Sequence, residues 1–431
     1  MQMEGLLMKR GIEGDKHHNL RVAGKKRLGQ ALQDARSRTV RLLDHYEAAL
    51  GPSLTVPLEP TLNPPRWEFG HVSWFTDWWL CRNPDRALGL DARPGALRLA
   101  ARQARRGVDA DALYDSSAIA HDRRWELNLP SVAETRADLT DSLADTLACL
   151  EQANDDDRGL YFFRLALFHE DMHAEAAVYM AQNLGFDPGY DLDDGNDVGS
   201  GAGSGVGKED SMAMAAAELT IAASEIQLGS PGPGFCFDNE LGLAMLQTPA
   251  FQIDARALSW GRYLPFIEAG GYAERRWWDE PGWRWRCTGN HACPRYLRRG
   301  VDTPWEILQF GQWQPLDPST TAVHLSAFEA QAWCRWAERR LPTEAEWVSA
   351  AKSSTTFEWG QVWEWTATEF RPFPGFTPHP YLDYSEPWFD GRPVLKGACK
   401  ATRARMRDVQ YRNFSTPDRH DIFAGFRSVA L

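Results

Sequence analysis

Three histidines have the residue type and spacing best suited to chemistry. His169 and His173 lie four residues apart between apolar, helix-favouring flanks, so both imidazoles face one side of a predicted helix. Two imidazoles at this spacing can bind one transition-metal ion. His71 lies in a second, aromatic-rich segment, where a buried imidazole needs a polar partner. We therefore predict a metal site formed by His71, His169 and His173, with ordinary core or surface histidines as the alternative.

The same segment also fits the zinc-peptidase motif. His169-Glu170-x-x-His173 has the spacing in which two histidines bind zinc and the glutamate activates water. That motif needs a third ligand, and we find no matching residue after His173, where the chain soon enters a Gly/Ser/Asp-rich tract. A zinc peptidase is therefore a weaker alternative. Glu170 and Asp171 are also candidates for hydrogen bonds that orient the histidines, although exposed helix charges would give the same sequence.

The composition indicates a globular protein that binds neither nucleic acid nor a membrane. The 431 residues are 43% hydrophobic and 25% charged, and the formal net charge of −12 disfavours polyanionic partners. No apolar run approaches the roughly 18–20 residues of a membrane span. The seven cysteines follow no disulfide pattern, which favours the reducing cytoplasm. We expect small-molecule ligands and a monomer or weak homo-oligomer.

Changes in composition divide the chain into two domains. Residues 1–26 lack the order of a signal peptide and are expected to form a disordered leader. Residues 27–190 show helical periodicity, and the Gly/Ser/Asp-rich residues 191–217 are expected to form a flexible linker. Residues 218–431 alternate short apolar segments with long loops rich in Gly, Pro and Trp. The predicted fold class is a helical domain followed by an irregular α+β domain.

The helical periodicity of the first domain predicts a four-helix bundle. The helices are expected over residues 28–50, around His71, after Ser131 and around His169. Ser131 in this domain and Ser326 in the second each precede a glutamate by three residues, which is the spacing of a capping box. Because two of the four helices carry the candidate ligands, we expect the metal in the core or at one end of the bundle.

Five short motifs in the second domain resemble one family. In chain order they are Leu325-Ser326-Ala327-Phe328-Glu329, Arg340-Leu341-Pro342-Thr343-Glu344, Gly360-Gln361-Val362-Trp363-Glu364-Trp365, Tyr411-Arg412-Asn413-Phe414 and Gly425-Phe426-Arg427. Together they resemble the formylglycine-generating enzymes, or sulfatase-modifying factors, over nearly all of residues 218–431. This resemblance implies a C-type-lectin-related, irregular α+β fold for the second domain.

The first domain resembles the DinB-type bundles, which hold a metal ion through three histidines. A bundle of this type joined to the second fold resembles the iron-dependent sulfoxide synthases of ergothioneine biosynthesis. The resemblance implies Fe(II) bound by His71, His169 and His173, with O₂ as co-substrate and hercynine, the trimethylated betaine of histidine, as acceptor. A non-catalytic metal-binding or sensor module is the alternative from a different class.

Three departures from these families concern the substrates. Formylglycine-generating enzymes carry a second cysteine five residues after the first. Here the residue five positions after Cys399 is Ala404, so we do not expect formylglycine-generating chemistry. Gln361 replaces the usual asparagine of its motif, which leaves a cation site at this loop open. Before the third helix Arg124 is present, but Asn128 replaces the second arginine that would bind γ-glutamylcysteine. The chain is therefore most similar to the selenoneine synthases, which join hercynine to a selenosugar; cysteine or γ-glutamylcysteine is the alternative donor.

The resemblance also suggests residues that bind the substrates. Trp363 and Trp365 lie with Gln361 in the loop that the family brings over the metal. Because hercynine carries a trimethylammonium group, we expect an aromatic wall there, with core packing as the alternative role. Arg412 and the arginines of residues 403–407 are candidates for the hercynine carboxylate, and Arg124 and Asn128 for the donor.

A tyrosine usually supplies the proton to reduced oxygen in this family. Tyr381 and Tyr384 are the candidates here, and a structural role is the alternative for each. The sequence does not otherwise identify a catalytic residue.

Overall fold

The computed structural model confirms a helical N-terminal part and a mixed α and β C-terminal part. It describes residues 19–99, 109–189, 217–229, 233–300 and 305–431. The linker predicted at 191–217 lies outside these residues, apart from Ala217. Within the described ranges, no helix is both long enough and apolar enough to cross a membrane.

Four long helices build the N-terminal part. They are α1 (Lys25–Leu50), α2 (Pro65–Thr76), α4 (Val132–Gln152) and α5 (Asp157–Leu184), with the short α3 (Ala110–Tyr114) between α2 and α4. Each of the four long helices contacts the other three, as expected for a four-helix bundle. A π-helical turn over Asp77–Cys81 continues α2.

Local capping residues fix the ends of the helices that carry the histidines. Pro65 occupies the first turn of α2, where the missing N–H leaves no hydrogen bond unmade. Helix α5 begins after Asp156, whose carboxylate accepts the backbone N–H of Gly159, and ends at Gly185 in the left-handed conformation. The capping box predicted at Ser131 is present at the start of α4.

Short helices and strands build the C-terminal part. Its helices are α6 (Trp260–Glu268), α7 (Glu280–Thr288), α8 (Ala327–Trp336) and α9 (Glu344–Ser353). Its strands are β1 (Glu218–Ile221), β2 (Ser224–Leu228), β3 (Ala244–Thr248), β4 (Phe251–Asp254), β5 (Leu297–Arg299), β6 (Trp305–Gln309), β7 (Gln312–Pro315), β8 (Arg339–Arg340), β9 (Trp363–Glu369), β10 (Pro393–Gly397), β11 (Asn413–Phe414), β12 (Ala424–Gly425) and β13 (Val429–Ala430). The capping box predicted at Ser326 starts α8.

Within the described residues, the strands form two four-stranded sheets and two smaller ones. The larger sheets have the strand orders β1-β4-β13-β8 and β11-β10-β9-β12, and the smaller ones are β2-β3 and β5-β6-β7. All pairs are antiparallel except β12 with β9. Because most strands are short, long loops carry many of the side chains between the sheets and the bundle.

Helix α5 joins the two parts of the protein. Phe168 packs on Phe235 with ring centroids 5.2 Å apart, and one hydrophobic core continues from the bundle into the second domain. Further along the helix, Glu175 accepts the indole N–H of Trp363 at 2.6 Å. The helix that carries two of the metal-ligand candidates is therefore part of the domain junction as well.

Part of the expected leader is packed against the protein. Arg21 is 6% exposed, and its guanidinium donates two hydrogen bonds to the Glu240 carboxylate at 2.8 and 3.0 Å. This corrects the expected disorder for residues 19–26, since α1 already begins at Lys25. The partner lies more than two hundred positions away in the chain, so local composition could not reveal it.

Candidate metal centre

Helices α2 and α5 bring the three predicted ligands together. The Nε2 atom of His169 lies 3.3 Å from Nε2 of His71 and 3.1 Å from Nε2 of His173. Metal–nitrogen bonds of about 2.1 Å place neighbouring ligand nitrogens roughly 3.0 Å apart at right angles and roughly 3.4 Å apart in a tetrahedron. The observed separations fit one ion bound by all three nitrogens. Within the described residues, no other group of His, Cys, Asp and Glu side chains converges in this way.

The environment keeps two of the imidazoles neutral, which is the form that binds a metal. His71 and His169 are only 2% and 3% exposed. Burial, reinforced by the neighbouring His173, lowers the pKa of His71 to about 3. Burial and the adjacent imidazoles also hold the pKa of His169 well below its ordinary value. Two buried imidazoles and the partly buried His173, with their Nε2 atoms facing one another, fit a cation between them.

Hydrogen bonds behind the rings direct two of the Nε2 lone pairs inwards. The Nδ1–H of His71 donates to the backbone carbonyl of Tyr114 at 2.8 Å. The Nδ1 atom of His173 lies 2.5 Å from the Glu68 carboxylate. Burial alone would raise the pKa of Glu68, but His173 holds the pKa of this carboxyl below its ordinary value. A carboxylate behind a ligating histidine fixes the tautomer and makes the imidazole a stronger ligand.

Glu68 was missed by the sequence analysis, although a signal for it exists. It stands three residues before His71 on α2, and that spacing places the two side chains on the same face of the helix. Asn63 donates to the same carboxylate at 2.8 Å, so Glu68 has partners on both sides.

The expectation that Glu170 and Asp171 orient the histidines through hydrogen bonds is wrong. Glu170 accepts hydrogen bonds from Arg36 and Thr39 of α1, and Asp171 is bound by arginines from α1 and from the second domain. Both carboxylates therefore point away from the imidazoles, because consecutive helix residues differ in direction by about 100°. The same orientation removes Glu170 as the water-activating base of a zinc peptidase.

Tyr381 and Tyr384, the candidate proton donors, belong to the second domain and contact the bundle near the three histidines. The ring of Tyr381 lies 6.3 Å from the ring of His169 and 5.2 Å from that of Phe75. The Tyr384 hydroxyl lies 3.7 Å from the sulfur of Met172, the residue before His173. Tyr381 is thus the nearer of the two to a ligand, and both belong to the wall of the site.

Two tryptophans expected to face substrate are instead packed in the interior. Trp365 is fully buried and donates its indole N–H to the carbonyl of Leu325 at 2.7 Å. Trp363 is 3% exposed and is bound to Glu175. Both lie on β9, where the sheet and α5 cover them. The aromatic rings around the triad belong to Trp67, Trp74, Phe75 and Tyr381.

Arg412 is also a structural residue rather than a free cation. It is 1% exposed, donates to the Glu344 carboxylate at 3.0 Å and to two backbone carbonyls, and stacks over Phe373. Its neighbour Arg405 is bound to Asp171 at the domain junction. The expectation that Arg412 binds the hercynine carboxylate is therefore wrong.

The remaining candidates lie at different distances from the ligands. Arg124 stacks over Trp67 at 3.8 Å, and Trp67 in turn stacks on His71 with ring centroids 4.8 Å apart. Asn128 is exposed in the loop that follows. Gln361 lines a separate cavity of about 540 Å³, together with residues of β6, β7 and the following loop, and none of the three histidines lines it.

Comparisons with known proteins match both parts of the chain. Residues 204–361 match the model of the sulfatase-modifying factor enzyme 1-like domain. Hercynine oxygenase from Mycolicibacterium thermoresistibile is 29% identical, with 93% of this chain and 94% of the relative aligned. Hercynine oxygenase from Mycobacterium tuberculosis is 29% identical, with coverages of 92% and 96%. Formylglycine-generating enzyme from Streptomyces coelicolor is 23% identical over 49% of this chain and 88% of its own length.

Fold and site together define a class of protein, in which a bundle with three convergent histidines is joined to a sulfatase-modifying-factor domain. The hercynine oxygenases match along almost the whole chain, whereas the formylglycine-generating enzymes match the second part. Along almost its whole length the chain is therefore similar to the hercynine oxygenases, and its second part carries the match to the sulfatase-modifying factor domain.

Proposed function

We propose that this chain is a non-haem iron oxidoreductase that uses O₂ to join the imidazole C2 carbon of hercynine to the selenium of a selenosugar. The convergence of the three Nε2 atoms, two of them on buried histidines, is the observation that carries the proposal. The relatives named hercynine oxygenase support hercynine as the acceptor. The alternative donor is cysteine or γ-glutamylcysteine, which would make a carbon–sulfur bond.

His71, His169 and His173 would hold the iron. Imidazole ligands carry no negative charge, so a bound ion would keep its full positive charge, would attract an anionic selenolate or thiolate and would make a chalcogen donor easier to deprotonate. When bound, Fe(II) supplies the redox chemistry that couples reduction of O₂ to oxidation of the donor and acceptor. Glu68 and the Tyr114 carbonyl keep two of the three rings aimed at the ion.

Aromatic side chains would exclude water and receive the hercynine cation. Phe75 stacks on His169 with ring centroids 3.4 Å apart, and Trp74 stacks on His71 at 5.4 Å. An aromatic face attracts a trimethylammonium group electrostatically, most strongly where water is absent. These rings take the role that the sequence analysis gave to Trp363 and Trp365.

Tyr381 is the tyrosine we assign as proton donor. Its ring packs against both Phe75 and His169. Burial raises the pKa of Tyr381, so the phenol carries its proton at neutral pH. Tyr384 is the second candidate, since it contacts Met172 and lies 3.2 Å from the Tyr411 hydroxyl.

The donor assignment depends on the loop that contains Arg124 and Asn128. Arg124 already donates to Asn63 at 2.8 Å and stacks on Trp67. Asn128 offers only a neutral amide where a second arginine would pair with a dipeptide carboxylate. Such a charge-assisted contact is worth about 1.5–3 kcal/mol, so its loss should cost γ-glutamylcysteine about ten- to a hundredfold in affinity. A sugar selenol has hydroxyls and no carboxylate, so the absence of the second arginine does not lower its affinity.

The experiment is anaerobic Fe(II) reconstitution followed by addition of O₂, hercynine and one donor at a time. The donors are 1-selenoglucose, 1-thioglucose, cysteine and γ-glutamylcysteine, with product mass and O₂ consumption as readouts. We expect kcat/KM for the selenosugar to exceed that for the dipeptide by at least about tenfold. A faster reaction with cysteine or γ-glutamylcysteine would identify a sulfoxide synthase instead. Iron binding without hercynine-dependent O₂ consumption would favour the sensor module.

A further inference from the structure

Building on the proposed function, we propose that Asp238 and Ser385 are positioning residues that fix the segment His379–Ser385 and thereby hold Tyr381 and Tyr384 against the metal centre. This segment lies in a long loop between β9 and β10, where no sheet hydrogen bonds restrain it. A tyrosine that donates a proton must keep a fixed position beside the metal centre. Side-chain contacts supply that restraint to this loop.

Asp238 binds the C-terminal end of the segment. Its carboxylate accepts a hydrogen bond from the Ser385 hydroxyl. The two tyrosines lie between Ser385 and His379, which is the opposite end of the segment. Holding Ser385 in place removes conformations that would carry the phenol rings away from α5.

A hydrogen bond at the other end of the segment ties it to the bundle. The Nδ1 atom of His379 lies 2.7 Å from the hydroxyl of Tyr161, which belongs to α5, the helix of His169. The rings of His379 and Tyr161 also pack edge to face with centroids 5.5 Å apart. The tyrosine segment is therefore positioned relative to the helix that holds two of the ligands, and not only relative to its own domain.

The residue before Asp238 supports one of the tyrosines directly. Phe237 stacks on the ring of Tyr384 with centroids 4.4 Å apart and planes 20° from parallel. The backbone turn at Phe237–Asp238 thus supplies a stacking surface and a hydrogen-bonding carboxylate to one segment. The two contacts act on adjacent residues, Tyr384 and Ser385.

Asp238 differs from Glu240 and Asp254, two other buried carboxylates of this domain. It is 1% exposed, yet among the described residues no lysine or arginine forms an ion pair with it, whereas Glu240 and Asp254 each bind an arginine. Burial raises the pKa of Asp238 to about 6, while Ser385 and backbone N–H groups oppose the rise. A buried carboxylate without a cation is costly. The hydrogen bond that Asp238 accepts from Ser385 restrains the tyrosine segment, and we infer that this restraint is its role.

Loss of the Ser385 hydroxyl should act on the catalytic step more than on binding. Ser385→Ala leaves a buried carboxylate oxygen without its donor and frees one end of the segment. Tyr381 then samples positions away from His169, while the three histidines and the aromatic rings of the bundle are unchanged. A displacement of about 1 Å can cost a rate constant about a hundredfold.

The test compares Ser385→Ala with Ser385→Thr, which keeps a hydroxyl, and with Ser428→Ala. Ser428 is a matched control, because it is equally buried and its hydroxyl donates to the Asp254 carboxylate at 2.6 Å elsewhere in the domain. In the iron-loaded protein we expect Ser385→Ala to lower kcat about ten- to a hundredfold with KM for hercynine within about twofold. Ser385→Thr should recover most of the loss, and Ser428→Ala should leave both constants unchanged.

Hydrogen–deuterium exchange without metal provides a readout that does not depend on activity. Ser385→Ala should speed exchange in peptides covering residues 379–385, and Ser428→Ala should not. Unchanged exchange there, an unchanged kcat, an equal loss of kcat in Ser428→Ala, or no recovery in Ser385→Thr would each overturn the positioning role. A wild-type protein without hercynine-dependent turnover would overturn the proposed function, while the exchange data would still decide whether Asp238 and Ser385 fix the segment.

Discussion

Two of the three histidines, His71 and His173, have a polar partner at Nδ1, the ring nitrogen that is not directed at the metal site. Glu68 binds His173 from the neighbouring helix, and the Tyr114 carbonyl binds His71 from the end of α3. At the scale of single residues, the site is therefore a set of preoriented nitrogens, and its affinity for metal depends on these partners as well as on the ligands.

Glu170→Gln, compared with Glu68→Gln, separates the iron site from the zinc-peptidase alternative. We expect Glu68→Gln to weaken Fe(II) affinity about ten- to a hundredfold, because the amide cannot polarise His173 as a carboxylate does. Glu170→Gln should leave Fe(II) affinity and measurable turnover, since Glu170 faces α1. Chelator competition measures the affinities, with His169→Ala as the reference for a lost site. Abolished turnover in an iron-replete Glu170→Gln protein would contradict this assignment.

A buried histidine outside the site should make the protein sensitive to acid. His324 is 4% exposed, and burial lowers its pKa to about 4 while its Nδ1 donates to the Ile422 carbonyl. The unfolded chain binds this proton near pH 6.5, so the contribution of His324 is complete above that pH and is lost as the pH falls towards 4. The slope approaches 1.4 kcal/mol per pH unit, an order-of-magnitude figure.

The measurement is urea unfolding of wild type and His324→Asn at pH 7 and pH 5. Asparagine suits this position because His324 has a left-handed φ of 62°. Wild type should lose more stability than the variant between the two pH values. An equal loss in both proteins would show that His324 does not carry the effect.

At the scale of elements, α5 presents ligands on one face and domain contacts on another. Asp171 accepts hydrogen bonds from Arg38 of α1 and Arg405 of the second domain at 2.6–2.8 Å. Glu175, further along the same helix, accepts the hydroxyl of Thr402 at 2.6 Å. The charged residues of the helix thus hold the two domains together around the histidines.

Removing the Asp171 charge should destabilise the protein without emptying the metal site. Asp171→Asn leaves two buried guanidinium groups with an incomplete partner, and breaking such a pair costs about 3–5 kcal/mol. Asp390→Asn is the control, because Asp390 is 51% exposed in its pair with Arg392 and an ion pair with an exposed partner contributes less than about 1 kcal/mol. Denaturant unfolding and Fe(II) titration check both variants. Stability equal to the control, or loss of iron, would contradict the structural role of Asp171.

Local signals in the sequence were enough for the helices and the ligands, but not for their partners. The capping boxes at Ser131 and Ser326 were predicted correctly because each depends on residues three positions apart. The three histidines were found because helical spacing and an aromatic setting are visible in the chain. Which way Glu170 points, or whether Trp365 faces a cleft, depends on elements far away in sequence. Composition and motif alone therefore assigned such residues to the site when they belong to the core.

At the scale of the whole molecule, the site is shared between the domains. The bundle supplies the three imidazoles and Phe75, and the second domain supplies Tyr381 through the loop fixed by Asp238. The contacts of α5 with the second domain hold this arrangement, so the chain between the domains need only connect them. Sequence similarity along nearly the full chain to the hercynine oxygenases agrees with a function that needs both parts.

Shortening the connection should therefore leave activity intact. Residues 199–207 belong to the predicted linker and lie outside the described residues. Their deletion should change kcat/KM by less than about twofold, because a tether mainly sets the effective concentration of domains that bind each other anyway. Steady-state kinetics with hercynine checks this. A loss of more than tenfold with unchanged iron content would show that the segment itself contributes to the site.

The most direct test of the central claim follows the hydrogen at C2 of the hercynine imidazole. Hercynine deuterated at that carbon is incubated with the Fe(II)-loaded protein, O₂ and 1-selenoglucose, and the product is analysed by mass spectrometry. The account predicts a hercynine–selenosugar adduct that has lost the deuterium, formed only when O₂ is present and absent from the His169→Ala protein. An adduct that keeps the deuterium, or O₂ consumption without any adduct, would contradict bond formation at C2.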